Sequence, residues 1–139
     1  MSRRRLGYLL KHANLRLTEL TGAALEPYGI DGREFAVLAL LDSPAPMSQL
    51  DAARRLGIDR TTMVAMVDAL ERKDLVRRRP HPDDRRKNVV EPTERGHETL
   101  GVARIAVDAA EEEFLSSLSG GDAGLLRDVL ERLVPPPAG

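Results

Sequence analysis

Ala52-Ala53-Arg54-Arg55-Leu56-Gly57-Ile58-Asp59-Arg60-Thr61-Thr62-Met63-Val64-Ala65-Met66 is the stretch whose reading decides the fold. Two short helices that cross steeply through a tight turn need a small residue at the crossing, and Ala53 supplies it. The turn needs a backbone free to take positive φ, and Gly57 supplies that. Ala52, Leu56, Ile58, Met63 and Met66 then fall at the inward positions. The register is that of a helix-turn-helix. An ordinary helical hairpin in a bundle obeys the same sterics, so the segment alone leaves both open. In a DNA reader the second helix enters the major groove by its N-terminal end. Arg60, Thr61 and Thr62 are then the first side chains at base edges or phosphates, with Ala65 and Asp68 further along the same face. Arg binds guanine bidentately, whereas a Thr hydroxyl or methyl is less selective. Thr61 and Thr62 also suit a plain helix start. Ser48 and Gln49, opening the preceding helix, are placed to donate to a phosphate.

Working outward, Ser48-Gln49-Leu50-Asp51 reads as a capping box, with Asp where Glu or Gln is usual. Asp59 is expected to cap the helix from Arg60 to about Lys73. Asp74 stands where a helix leaves through a left-handed residue, a position Gly fills more readily. Upstream, Leu6, Leu9, Leu10, Ala13, Leu17, Leu20 and Ala24 recur in steps of three and four, one apolar helical stripe ending near Pro27–Gly29. Asp31 can cap a second helix with Phe35, Val37, Leu38 and Leu41 inward, and Ser43-Pro44-Ala45-Pro46 breaks it. Downstream, Leu75–Arg79 and Asn88–Glu91 read as strands around the turn cluster His81-Pro82-Asp83-Asp84. Thr93 can cap a long helix carrying Leu100, Ala103, Ala106, Ala110, Phe114 and Leu118, its first turns weakened by Gly96 and Gly101. Ser119-Gly120-Gly121-Asp122 breaks it, and a last helix carries Leu125, Leu126, Val129, Leu130 and Leu133 up to Pro135-Pro136-Pro137.

The hairpin is basic. Arg77, Arg78, Arg79, Arg85, Arg86 and Lys87 stand against Asp83 and Asp84, whereas the chain beyond Asp108 is acidic, so one end is expected to face a polyanion. A tip bearing Arg85, Arg86 and Lys87 has the size and charge to follow a phosphate backbone or enter a narrow minor groove. Asp84 is expected to hold a neighbouring Arg by a charge-assisted hydrogen bond. A solvated charged turn is the bland alternative, and adjacency to the helix-turn-helix argues against it.

The run from Leu50 to Gly96 resembles the multiple-antibiotic-resistance regulator (MarR) family. The residues that carry the resemblance are Leu56–Val64, then Leu70-Glu71-Arg72-Lys73-Asp74-Leu75-Val76-Arg77-Arg78, Asp83-Asp84-Arg85-Arg86-Lys87-Asn88, and Thr93-Glu94-Arg95-Gly96. The resemblance implies a mainly α (α+β) winged helix-turn-helix with a β-hairpin wing and long N- and C-terminal dimerisation helices. It divides one domain over 1–139 into dimerisation helices at 1–30 and 97–139 and a DNA-binding lobe at 31–96. It implies that Asp84 and Arg86 pair, with Arg86 near the minor groove. Asp74 stands where the family has Gly, and Pro92 where it has Leu, which leaves the end of the hairpin open.

The first, fifth and sixth helices carry more apolar surface than a compact helix-turn-helix core can cover, so a homodimer is expected. A two-fold dimer presents two recognition helices ~34–36 Å apart and calls for a pseudo-palindromic operator. The family also implies repression relieved by a small phenolic or carboxylate effector, for which His12, Arg16, Tyr28 and Arg77 are the polar liners. A winged-helix module that coats DNA or binds protein without an effector is the alternative reading.

Of the 139 residues, 42% are hydrophobic, 31% charged and 3% aromatic, with a formal net charge of −1. That balance is globular, and aliphatic residues must build the core. There is no Cys, which removes disulfides, thiolate metal sites and cysteine-based peroxide sensing, and fits a reducing, cytoplasmic setting. No apolar run approaches the ~18 residues of a membrane span. The basic start Met1-Ser2-Arg3-Arg4-Arg5 is followed by Lys11, His12, Asn14 and Arg16 rather than an apolar signal core. His12, His81 and His97 lack metal-ligand spacing, and no nucleophile elbow or phosphate loop appears, so neither a metal cofactor nor an enzyme is expected.

Overall fold

A computed structural model describes residues 3–136. Met1, Ser2 and Pro137, the last of the three prolines expected to end the final helix, lie outside the described residues. The elements in chain order are α1 (Leu6–Leu25), a 3₁₀ turn (Glu26–Tyr28), α2 (Gly32–Leu41), α3 (Gln49–Leu56), α4 (Arg60–Arg72), β1 (Val76–Pro80), β2 (Asn88–Pro92), α5 (Glu94–Leu115) and α6 (Gly120–Leu133). The order is the mainly helical winged helix-turn-helix that the sequence predicts. The chain forms two compact units: residues up to Gly32 with Arg104–Pro136, and Arg33–Ala103.

The Arg33–Ala103 unit holds most of the core. Val37, Leu38 and Leu41 of α2, Ala52 and Ala53 of α3, Met63, Val67 and Leu70 of α4, Val76, Val89 and Val90 of the hairpin, and Leu100 of α5 are buried. The small residue at the helix crossing is in place, and Gly57 turns the chain at φ 64°. Leu56, Ile58 and Met66, also expected inward, are half-buried. Ser48 Oγ accepts from the Asp51 amide (3.1 Å), and Asp59 Oδ1 from the Thr62 amide (2.8 Å), so both predicted caps form.

β1 and β2 pair antiparallel, Val76 opposite Pro92 and Pro80 opposite Asn88. β1 starts one residue later than the pattern suggests, because the Leu75 amide closes the end of α4 by donating to the Leu70 carbonyl (3.0 Å). β2 runs one residue further, to Pro92. A proline is tolerated there because it closes the ladder, whose next bond comes from the Thr93 amide to the Leu75 carbonyl (3.0 Å). The segment before α3 joins the sheet too: Ser48 bridges Val89, and the Val90 amide donates to the Met47 carbonyl (3.1 Å).

A single corner ties α4, β1 and α5 together. Asp74 leaves α4 at φ 61°, the left-handed conformation expected of it. Thr93 Oγ1 donates to the Asp74 carbonyl (2.6 Å) and accepts the Gly96 amide (3.0 Å), which caps α5. A β-carbon on Gly96 would collide with the Leu75 carbonyl oxygen. From sequence Gly96 is expected to weaken α5. The structure shows instead that close backbone approach requires it, at the cost in helix propensity.

In the other unit α1 exposes its whole first half, and α6 buries no residue. Leu6, Leu9, Leu10, Ile105, Leu125, Leu130 and Leu133 are exposed, Ile105 to 70%. Two expectations are corrected here. α5 ends at Leu115, before Leu118, through turn bonds from the Ser116 and Leu118 amides. Of the expected breaker, only Ser119 lies outside a helix: its Oγ accepts the Asp122 amide (3.1 Å), so Gly120, Gly121 and Asp122 form the first turn of α6.

Gly96→Ala is expected to destabilise the fold by roughly 1–3 kcal/mol, the range for forcing atoms into a packed site. Urea unfolding followed by circular dichroism measures it, and a midpoint equal to that of the parent chain would show that the corner moves freely.

Candidate nucleic-acid interface

The head of α4 and the tip of the hairpin lie on one groove of about 320 Å³. Its walls include Ser48, Gln49 and Arg54 from the start and outer face of α3, Arg60 from α4, and Arg86, Lys87 and Asn88 from the hairpin. Of the DNA-facing residues expected from sequence, Ser48, Gln49, Arg60, Arg86 and Lys87 therefore share one surface. Thr61 and Ala65 are exposed on α4 and Arg85 at the tip, outside the groove lining.

Local structure fixes these side chains. Asp59 accepts both the Thr62 amide and, through Oδ2, the Thr62 hydroxyl (2.7 Å). The Thr62 hydroxyl thus serves the cap, and its methyl is the part left for other contacts. These two bonds, the hydroxyl's first, hold the Asp59 carboxyl below its ordinary range. Ser48 is buried, its oxygen occupied by the α3 cap.

At the tip, Asp84 Oδ1 accepts from the Arg86 amide (3.1 Å) and from Arg86 Nε (3.2 Å). The pairing that the resemblance implies is present. Those bonds, the backbone one first, hold the Asp84 carboxyl low. Arg86 is still 92% exposed, so its terminal nitrogens remain available. Among the described residues Arg54, Arg60, Arg85 and Lys87 make no salt bridge, which leaves a cluster of free cations in a chain of net charge −1.

The three arginines of β1 are paired with carboxylates. Arg77 and Arg79 both reach Glu91 (2.8 and 3.1 Å), Arg77 directly across the strands from it. The hydrogen bond from Arg77 is the chief reason that the Glu91 carboxyl sits low. Arg78 has the densest set of partners. Nε and Nη2 donate to Gln49 Oε1 (3.2 and 3.1 Å), Nη1 to Glu71 (3.1 Å), and Nη2 also lies 2.7 Å from Asp68. From sequence Arg78 stands in the basic run and in the stretch that carries the family resemblance, with no partner assigned to it. Strand alternation was the available signal, since it places Arg78 on the same face as buried Val76.

The four polar residues expected around an effector are divided between the two units, His12, Arg16 and Tyr28 in one and Arg77 in the other. His12 and Arg16 are exposed on α1, His12 with its ring 4.1 Å from that of Tyr8. Tyr28 is exposed in the 3₁₀ turn, and Arg77 is bound to Glu91. None of the four lines the groove or the apolar cavity of about 400 Å³ between Leu17, Phe114, Leu115, Leu126 and Leu130. Among the described residues no three carboxylate or imidazole groups are placed to hold a metal ion, and no helix is long and apolar enough to cross a membrane.

Helix-turn-helix and basic hairpin together define a winged-helix DNA-binding protein. The chain belongs to the MarR family, whose family model matches residues 31–87. It is 28% identical to the HTH-type transcriptional repressor NicR of Pseudomonas putida over 130 residues, 93% of this chain and 82% of that one. The transcriptional repressor CouR, solved bound to a 23-mer DNA duplex, is 38% identical with a TM-score of 0.81, over 93% of this chain and 89% of the other. CouR from Rhodococcus jostii RHA1 bound to p-coumaroyl-CoA superposes with a TM-score of 0.81 at 29% identity, over 96% and 94% of the two chains. Proteins of this family are DNA-binding transcriptional regulators, and its repressors bind operator DNA as dimers.

The low pKa of Asp59 gives a pH test with a definite sign. The unfolded chain binds this proton more tightly than the folded one, so the cap contributes fully above the unfolded value, ~4, and is lost as pH falls through the lower folded value. Asp59→Asn keeps a good capping side chain without the charge. Below about pH 4 the parent chain should therefore lose stability more steeply than the variant. Parallel acid-unfolding curves would show that the charge contributes nothing.

Proposed function

We propose that this chain represses transcription by binding a pseudo-palindromic operator as a homodimer, and that a small phenolic or carboxylate effector releases it. The observation that carries the DNA reading is the shared groove: exposed Arg60 at the head of α4 and exposed Arg86 at the tip open on one surface. Arg60 suits a guanine edge in the major groove, with Thr61, the Thr62 methyl and Ala65 beside it. Arg86, steadied by Asp84, suits the narrow minor groove, and Arg85 and Lys87 the flanking phosphates. Gln49 donates to a phosphate, and the groove-lining Ser48 stands beside it at the start of α3.

The exposed leucines of α1 and α6 support the homodimer, because a second copy would remove that apolar surface from water. In this reading residues 1–30 and 97–139 serve dimerisation and 31–96 form the DNA-binding lobe. His12, Arg16, Tyr28 and Arg77 are the polar groups proposed for an anionic effector, Arg77 only once it leaves Glu91. The p-coumaroyl-CoA bound to the similar protein CouR, a phenolic thioester with anionic phosphates, supports the phenolic half of this reading. A chromosomal operator makes the protein cytoplasmic, acting without enzymatic chemistry or a cofactor.

The test is a salt-titrated binding assay on DNA from upstream of its own gene. The expected result is competitor-resistant binding to a single palindromic site, with log K falling linearly against log salt. Arg86→Ala should cost roughly 1–3 kcal/mol of operator affinity and lower the salt slope by about one. Equal, weak binding to every duplex would instead assign an architectural, DNA-coating role.

A further inference from the structure

We infer that Arg78, which need not touch DNA, is a positioning residue that turns the Gln49 amide so that its NH₂ faces a phosphate oxygen. The inference rests on the operator reading above and adds to it the source of Gln49's orientation. Gln49 opens α3 and lines the groove. Its side chain has two ends of opposite character, an accepting oxygen and a donating NH₂. Arg is a donor only. Arg78 Nε and Nη2 both point at Gln49 Oε1, at 3.2 and 3.1 Å. A flipped amide would set NH₂ against two N–H groups and lose both bonds, so only one orientation survives. That orientation turns the donor away from the guanidinium, where a phosphate, an acceptor only, can meet it.

The same guanidinium spans the elements that build the groove. It stands on β1, holds Gln49 of α3, and binds Asp68 (2.7 Å), Glu71 (3.1 Å) and the Val64 carbonyl (3.5 Å) of α4. Its side chain is only 20% exposed, which suits an internal strut. Pairing with Asp68 and Glu71 also offsets two carboxylates on the recognition helix that would repel DNA. Ordering Gln49 before binding removes a conformational cost that a free glutamine meets at the phosphate.

Four proteins test this by operator affinity: the parent chain, Gln49→Ala, Arg78→Lys and the double variant. Lysine keeps the charge for Asp68 and Glu71 but lacks the planar fork that holds an amide oxygen from two nitrogens. Each single change should weaken binding by about three- to tenfold, the worth of one hydrogen bond. The double variant should bind no more weakly than the weaker single, because both changes remove the same phosphate contact. Losses that multiply would overturn the inference and make Arg78 a generic structural pair. Gln49→Glu guards against misfolding of the Arg78 variant, because Glu still accepts from Arg78 and cannot donate. It should lose at least as much as Gln49→Ala, and parent-like affinity would overturn the inference. If the parent chain finds no specific site, both readings fall. Specific binding with multiplied losses removes this one alone.

Discussion

Everything on the proposed DNA-facing side depends on how α4 is rotated, and that rotation is set by burial. Met63, Val67 and Leu70 lie four and three residues apart and are almost wholly removed from water. Each such side chain contributes about 1.5–3 kcal/mol of burial. A turn of the helix by one residue would expose all three. Thr61 and Ala65 consequently have only the outer face, whereas Arg60, in line with Met63 and Val67, is exposed because it stands at the first turn, where it lines the groove. The Asp59 cap and the left-handed Gly57 fix where this helix begins, and the Thr93–Gly96 corner fixes where the chain goes after it ends. The hairpin then follows from α4 without freedom to wander, because Val76, Val89 and Val90 bury against the same core.

Much of this was legible beforehand because it is local. Caps at Ser48, Asp59 and Thr93, the turn at Gly57 and the helical stripes each need only a few neighbouring residues. The Asp84–Arg86 pair likewise lies within three residues. What escaped reading depends on approach between distant segments. The need for Gly96 comes from the Leu75 carbonyl, on another element. The late start of β1 comes from a hydrogen bond back to Leu70. The Arg78 cluster joins residues 29, 7 and 14 positions apart. In a run of three arginines, charge alone does not distinguish Arg78 from its neighbours. Only strand parity does, and it shows which arginine turns inward but not what it meets there.

The apolar surface left on α1 and α6 follows from the same division of labour. Aromatic residues make up 3% of the chain, so the core is aliphatic and a helix must bury many small side chains to be held firmly. The Arg33–Ala103 unit achieves this from four helices and a hairpin. α6, with no buried residue, does not, and a helix of 14 residues is marginal in water without tertiary packing. Its leucines favour association, which links the stability of these helices to the presence of a second copy.

Net charge of −1 is itself part of the recognition argument. A uniformly basic surface would bind any duplex, because phosphate contacts carry no sequence information. Here Glu91 offsets Arg77 and Arg79, and Asp68 and Glu71 offset Arg78, so the basic run contributes far less free charge than its composition suggests. The cations left free include those lining the groove, Arg54, Arg60 and Lys87, together with the exposed end of Arg86. Indiscriminate attraction is thereby reduced while the groove keeps its donors. In the proposed complex discrimination then falls to a few directed contacts, repeated by two-fold symmetry, and those are the contacts that a shift between the two halves of a dimer would break together.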